Sequence, residues 1–158
     1  MKIEFDVQIT WKHLYRYLLY TAYHGPAGLV GTCIGALLIA LYFWQNKVIF
    51  IIGGIIVILY TPYILFRQAL QKATMPVYLK PLHYTVSEEG ISVTQEGNTE
   101  STVWEGIFKV TSSTDTLYIF MNPKMATIWP KKDLGDAKDA VISMISTHID
   151  PAKNKIKE

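Results

Sequence analysis

Apolar and polar side chains alternate at the start of the chain, where every second position from residue 3 to residue 9 is Ile, Phe or Val. A period of two predicts a strand with one buried face. Thr10 then occupies a helix N-cap position, and apolar residues recur at helical spacing from Trp11 to Tyr23. The pattern therefore predicts a strand followed by an amphipathic helix.

The polar side of this helix carries Lys12 and Arg16. If the helix lies in the plane of a membrane interface, these two cations would meet anionic lipid. The alternative is that the apolar side of the helix packs on the sheet of a domain. We expect a mixture of the two arrangements.

The middle of the chain contains two long stretches without charge, residues 26–44 and 48–66, which are separated only by Gln45, Asn46 and Lys47. As a helix, each stretch would extend for roughly 28 Å, close to the ~30 Å hydrocarbon core of a bilayer. Three residues suffice only to reverse the chain direction. We therefore predict a transmembrane helical hairpin over residues 26–66.

The first stretch carries small residues at helical spacing, a pattern that allows two helix backbones to approach closely. The candidate packing face consists of Gly28, Gly31, Thr32, Gly35 and Ala36. One interpretation is packing against the second stretch, where Gly53 and Gly54 would face it. The other is homo-oligomerisation or docking on a partner membrane protein.

Beyond the hairpin, residues 67–80 indicate a helical exit followed by an extended stretch, and short strands separated by turn residues come next. The predicted strands are residues 82–87, 91–95, 99–104, 107–111, 117–121 and 125–129. Asp133 is expected to cap a final amphipathic helix, which Pro151 ends, and the tail over residues 151–158 is expected to be flexible. A strand meander closed by one helix is typical of a pleckstrin-homology-like domain.

The fold class predicted is therefore membrane α+β. Residues 1–25 supply a strand and a helix that join the cytoplasmic domain, residues 26–66 form the hairpin, and residues 67–150 form the pleckstrin-homology-like β domain with its C-terminal helix. The strand meander alone is small for a hydrophobic core. We therefore expect the N-terminal strand to pair with it, with the hairpin inserted between the two parts of one domain.

Charge is distributed very unevenly along the chain, of which 18% is charged overall. Residues 26–66 contain one charge, Lys47, whereas the remaining residues are ordinary in charge. This distribution excludes a disordered chain, and the single Cys excludes a disulfide-stapled secreted domain. Lys and Arg flank both spans on the side of the chain termini, which predicts that both termini are cytoplasmic.

The order of these parts, together with three motifs, resembles the YcxB-like family of small bacterial membrane proteins. The motifs are YTVSEEGI at residues 84–91, WEGIFKV at residues 104–110 and IWPKK at residues 128–132. The resemblance implies a bacterial inner, or cytoplasmic, membrane and a pleckstrin-homology-like cytoplasmic domain. It implies no activity that could be assigned to particular residues.

Signatures of catalysis and of metal binding are missing from the sequence. The four His residues are isolated, no CxxC or HxxxH occurs, and neither a Walker loop nor a GxSxG motif is present. We therefore predict no catalytic residue, no metal and no cofactor. The domain from Arg67 onward has equal numbers of basic and acidic residues, which argues against a nucleic-acid partner.

Four residues are the candidate contacts for a protein partner or for lipid headgroups: Lys109, Trp129, Lys131 and Lys132. The two adjacent lysines could face phosphate groups, since a Lys near an anionic bilayer is worth about 1 kcal/mol. The structural interpretation is that Trp129 belongs to the core and that the lysines are solvated.

These observations lead to two functional hypotheses. The first is a non-enzymatic, membrane-anchored binding or scaffold module that holds a protein partner at the cytoplasmic face of the membrane. The alternative is an immunity or resistance protein whose hairpin binds a membrane-targeting toxin or bacteriocin. In both, the bilayer is a partner of the chain.

Overall fold

The structure is a computed structural model and describes residues 2–123 and 125–156. The helices are α1 (Trp11–His24), α2 (Pro26–Gln45), α3 (Ile49–Ala73), α4 (Pro76–Leu79), α5 (Lys131–Leu134) and α6 (Lys138–His148). The strands are β1 (Ile3–Val7), β2 (Leu82–Val86), β3 (Gly90–Gln95), β4 (Asn98–Val103), β5 (Lys109–Ser112), β6 (Thr116–Asn122), β7 (Met125–Pro130) and β8 (Asn154–Lys155). The layout is α+β, with sheets that are antiparallel except for the pairing of β5 with β8, and with two long apolar helices.

The chain divides into two compact units. Residues 14–73 form the helical unit, and the segment up to His13 forms the sheet unit together with the segment from Thr74 onward. The sheet unit therefore contains β1 as well as every later strand. Its N-terminal strand is separated in sequence from its other strands by the entire helical unit.

The first sheet has the strand order β1-β2-β3-β4 and is antiparallel throughout. Strand β1 pairs with β2 so that Phe5 lies opposite Tyr84. The alternation in the sequence has its expected consequence, because Ile3, Phe5 and Val7 are buried and the residues between them are exposed. This sheet thus has one apolar face, which contributes to the core.

The second sheet has the order β7-β6-β5-β8. Its central strand β6 has five consecutive buried residues, from Thr116 to Phe120. Such a run is expected of a strand with neighbours on both sides and cover on both faces. Helix α6 adds Val141, Met144 and Ile145 to the buried set.

Three sequence predictions about local structure are wrong. The stretch after α3 is not extended over its whole length: Pro76 begins the single turn α4, because its ring fixes φ near the helical value and its missing N–H costs nothing at the first helical position. Trp104 does not continue β4 but starts a 3-10 turn ending at Gly106, and β5 begins only at Lys109.

Asp133 does not cap the final helix, since it lies inside α5 and its carboxylate accepts a hydrogen bond from the Gln8 backbone N–H at 3.2 Å. Gly135 follows with φ +50°, a conformation that ends the helical turn, and α6 starts afresh at Lys138. The tail that is expected to be flexible includes one short strand. Asn154 and Lys155 form β8, which pairs in parallel with β5, whereas residues 157 and 158 lie outside the described residues.

The helical unit contains the two apolar stretches predicted from the sequence. Windows of α2 and α3 are long and apolar enough to cross a membrane, and only 11% and 6% of these windows are buried within the structure. Tyr15 of α1 contacts Phe66 of α3 edge-on, with ring centroids 5.7 Å apart. An apolar surface of this extent, left uncovered by the protein itself, is unusual for a soluble helix pair.

Candidate binding pocket

The predicted contact residue Trp129 is fully buried, with 0% of its surface exposed. Its ring meets Phe5 at 5.0 Å and Tyr84 at 5.4 Å between centroids, in both cases roughly edge to face. Trp129 is therefore a core residue that joins the two sheets and is not available to a partner. The structural interpretation of this residue is the correct one.

The three candidate lysines do not form one patch. Lys109 of β5 lies opposite Phe120 in the pairing of β5 with β6, toward one end of β6. Its Nζ lies 4.6 Å from the centre of the Phe120 ring. Lys131 and Lys132 follow Pro130, which pairs with Thr116 at the opposite end of β6. The exposed Lys132 and the half-buried Lys131 thus remain a local pair of cations, without Lys109.

Lys12 and Arg16 are both exposed on α1. They lie four residues apart and so share one face of the helix. Lys12 also extends along its neighbour Trp11, with Nζ 5.7 Å from the ring centre.

The small-residue face of α2 is used inside the hairpin. A Cβ added to Gly35 would lie 2.9 Å from the Gly54 carbonyl oxygen, and one added to Gly54 would lie 2.7 Å from the Gly35 oxygen. Gly31 also faces α3 but less closely, since a Cβ added there would lie 3.4 Å from the Thr61 side-chain oxygen. Of the two interpretations, packing against the second apolar helix holds for Gly31 and Gly35, with Gly54 as the partner glycine, whereas the expectation that Gly53 also faces α2 is wrong.

The other members of that face do not contact α3 in the same way. Gly28 packs against the end of α1, where an added Cβ would lie 2.6 Å from the Ala22 carbonyl oxygen. Thr32 donates its hydroxyl proton to the Gly28 carbonyl oxygen at 3.0 Å. Thr32 and Ala36 are exposed, so they are what remains of this face for a contact outside the hairpin.

The sheet unit contains a pocket of about 360 Å³ that the sequence analysis did not identify. Its lining comes from the first sheet, from β7, from Ile9 and from the α4 turn. The lining residues are Ile9, Val77, Tyr78, Leu82, Tyr84, Val93, Gln95, Glu96, Asn98, Glu100, Ala126, Thr127 and Ile128. This volume lies in the range of pockets that hold small ligands or side chains.

One row of paired residues crosses the first sheet on the face that lines the pocket. Phe5 pairs with Tyr84, Tyr84 with Val93, and Val93 with Glu100. The row therefore changes from aromatic and aliphatic side chains on β1, β2 and β3 to an acidic side chain on β4, the outer strand at the opposite edge from β1. Asn98, two residues before Glu100, extends this polar edge. The pocket accordingly has an apolar floor and a polar, acidic rim.

The α4 turn is held over the pocket by polar contacts. Gln95 donates its side-chain amide to the Val77 carbonyl oxygen at 2.8 Å, and Gln8 donates to the Tyr78 carbonyl oxygen at 3.2 Å. Lys80 forms an ion pair with Glu96 at 2.5 Å. Lys80 lowers the pKa of the Glu96 carboxyl through this hydrogen bond and through its charge. Glu96 is thus compensated by a cation of the protein itself.

Tyr84 forms part of the pocket floor as a neutral phenol. Burial raises its pKa to about 12, against the opposite influence of Thr127 and Trp129. At neutral pH the hydroxyl keeps its proton, so the site presents an aromatic ring with a hydrogen-bond donor and no additional negative charge. A carboxylate nearby and an aromatic ring below suit a cation better than an anion.

The sequence contained a weak signal for this pocket. In a strand that covers a core, every second residue should be apolar, yet both alternating sets of β4 are largely polar: Asn98, Glu100 and Thr102 on one face, Thr99 and Ser101 on the other. Which set faces inward follows only from the register with β3. Among residues 2–123 and 125–156, no group of three His, Cys, Asp or Glu side chains could hold a metal ion.

Comparison with known proteins bears on the sheet unit. Neither the curated proteins nor the solved structures include a match to the chain. Residues 86–145, which run from the end of β2 into α6, match the family model described as YcxB-like protein. Over these residues, which make up less than half of the chain, the chain is therefore similar to YcxB-like proteins.

Proposed function

We propose that this chain is a non-enzymatic, membrane-anchored binding module. Its helices α2 and α3 cross the cytoplasmic membrane of a bacterium as a hairpin, both termini are cytoplasmic, and the sheet unit is a pleckstrin-homology-like domain that binds a protein partner. The observation that carries the proposal is the uncovered apolar surface of α2 and α3, since only 11% and 6% of their most apolar windows are buried.

A bilayer accounts for this surface better than water does. Leu37 and Ile49 are each 65% exposed, and at about 25 cal/mol per Å² such side chains strongly favour an apolar environment. Aromatic residues at the hairpin tip, among them Phe43 and Trp44, are placed as in an interfacial aromatic belt. Lys and Arg concentrate in the flanks outside the hairpin, which supports cytoplasmic termini.

The pleckstrin-homology-like assignment rests on topology. Four antiparallel strands are followed by three more antiparallel strands and then by a C-terminal helix, in that order along the chain. A domain of this kind uses its edges and pockets for binding, which agrees with the pocket between β4 and β7. For α1, on which Lys12 and Arg16 are exposed, we propose a mixture of two arrangements: the helix lies in the headgroup plane with both cations toward anionic lipid, or its apolar side packs on the sheet.

The alternative, an immunity or resistance function, would act through the hairpin surface. Since Gly31 and Gly35 are occupied by the contact with α3, a toxin would have to contact the outward residues of α2, such as Thr32 and Ala36. No observation favours this function, and it is one of the outcomes of the following experiment.

The experiment exchanges residues 26–66 for an unrelated two-helix hairpin. A photo-crosslinking amino acid at Asn98, on the pocket rim, reports partner capture in cells, and the same amino acid at Asp136 is the control. We expect a specific crosslinked product from Asn98 that persists after the exchange, since the bilayer span serves only as an anchor. Loss of the product from a stable, membrane-bound exchange variant would contradict the module and favour a function of the hairpin itself.

A further inference from the structure

Strands β1 and β4 are the two outer strands of the first sheet, and within the described residues the free side of β4 has no neighbouring strand. Five of its six residues are exposed. An outer strand of this length offers a row of backbone N–H and C=O groups with which another extended segment can pair. A pocket directly beside such an edge can then select the side chains of the added strand.

Glu100 is the residue that gives this edge its chemical character. It is exposed, it ends the row that starts at Phe5, and no Lys, Arg or His among the described residues lies within ion-pair distance of it. The other carboxylate of the pocket, Glu96, is already paired with Lys80. Within the part of the chain that the structure describes, the rim thus retains one negative charge without an ion-pair partner.

From these features we infer that β4 binds an extended segment of a partner protein by strand addition, with a Lys or Arg of that segment opposite Glu100. The residue opposite Glu100 in an added strand would have its Cβ about 4.5–5.5 Å away on the pocket side of the sheet. There its charge meets the carboxylate, and its aliphatic stem continues the row of Tyr84 and Val93. Opposite charges stabilise such a cross-strand pair, and like charges destabilise it.

In the added strand, the residues two positions before and two positions after that cation should be apolar. They would lie opposite Asn98 and Thr102 and above a pocket whose floor includes Leu82 and Ile128. The opposite face of the added strand would continue the hydroxyl contacts seen between Ser92 and Ser101 at 3.0 Å and between Thr94 and Thr99 at 2.9 Å. The partner segment is therefore short, extended and basic, with small polar residues on its outer face.

A charged residue on an outer strand has a second established use, which is to prevent strands of other copies from pairing. That use predicts self-association when the charge is removed and no binding of a basic segment. Only binding of a basic segment predicts peptide selectivity. Reversing the charge of Glu100 therefore distinguishes the two uses.

The test uses the full chain in lipid nanodiscs and the peptide acetyl-SVTKTVS-amide, with acetyl-SVTETVS-amide as its acidic counterpart. Binding is followed by fluorescence polarisation of the labelled peptide and located by amide chemical shifts along β4. We expect the unmodified chain to bind the Lys peptide at least tenfold more tightly than the Glu peptide. Glu100→Gln should weaken the Lys peptide about fivefold, and Glu100→Lys should reverse the preference in favour of the Glu peptide.

Glu105→Lys, which changes an exposed carboxylate outside the pocket, should leave the preference unchanged. Equal binding of both peptides, no binding up to ~1 mM, or an unchanged preference in Glu100→Lys would overturn the inference, as would increased self-association as the sole effect of Glu100→Gln. The inference rests on the proposed binding function, but the two can fail separately. If a partner crosslinks at Asn98 but the chain shows no peptide selectivity, the proposed function stands and the inference of a basic segment is wrong. If the crosslink is lost on hairpin exchange, the proposed function itself is wrong.

Discussion

Replacing Trp129 by alanine is expected to lower the free energy of unfolding of the sheet unit by about 3–5 kcal/mol. The side chain is fully buried, and its ring contacts Phe5 of β1 and Tyr84 of β2. Its removal leaves a cavity between the two sheets that the surrounding strands cannot fill without losing register. Urea unfolding followed by near-ultraviolet circular dichroism measures the change.

Two variants serve as controls for this prediction. Trp129→Phe keeps most of the apolar volume and should lose clearly less stability than Trp129→Ala, whereas Lys132→Ala on the exposed side chain should change stability by no more than about 0.5 kcal/mol. If Trp129→Ala kept the stability of the unmodified chain and lost only partner capture, the core position assigned to Trp129 would be wrong.

Gly54→Ala is expected to destabilise the packing of the hairpin by about 1–3 kcal/mol. The added methyl carbon would lie 2.7 Å from the Gly35 carbonyl oxygen and 2.6 Å from Cγ1 of Ile39. Because one of these atoms belongs to the backbone, the two helices have to move apart. Unfolding of the chain in lipid bicelles by added dodecyl sulfate, followed by helical circular dichroism, measures the loss.

The adjacent glycine provides a matched control. A Cβ added to Gly53 would have no atom within 4 Å apart from those of its own helix backbone and chain neighbours. Gly53→Ala should therefore be neutral, or stabilising to the extent of the higher helix propensity of alanine, up to about 1 kcal/mol. Equal destabilisation by the two substitutions would show that α2 and α3 do not cross at Gly35 and Gly54.

The parts of the fold that sequence could predict are those determined by local periodicity. The alternation over residues 3–9 gives β1 with its buried Ile3, Phe5 and Val7, and the uncharged stretches give α2 and α3. The parts that it missed depend on distant residues or are too short to show a pattern. The two-residue strand β8 exists through its pairing with Val110 and Thr111, and the single turn α4 is too short to carry a periodic pattern.

The candidate site shows the same limit. The sequence is compatible with Trp129 as a partner contact and as a core residue, because a strand sequence alone does not determine which face is covered. The pocket depends on the register that places Glu100 beside Val93 and Tyr84, and no local pattern encodes that register. The correct interpretation of Gly35 likewise required the position of Gly54 on the facing helix.

The central claim, that residues 26–66 cross the bilayer and leave both ends of the chain in the cytoplasm, is tested most directly by labelling single cysteines. Cys33, the one cysteine of the chain, is replaced by Ser, and a new cysteine is placed at Asn46 in the hairpin tip or at Ser113, an exposed position between β5 and β6. An impermeant maleimide is added to intact spheroplasts. We expect the cysteine at position 46 to be labelled at once and that at position 113 only after the membrane is opened; labelling of both on the same side, or release of the chain by alkaline washing, would contradict the claim.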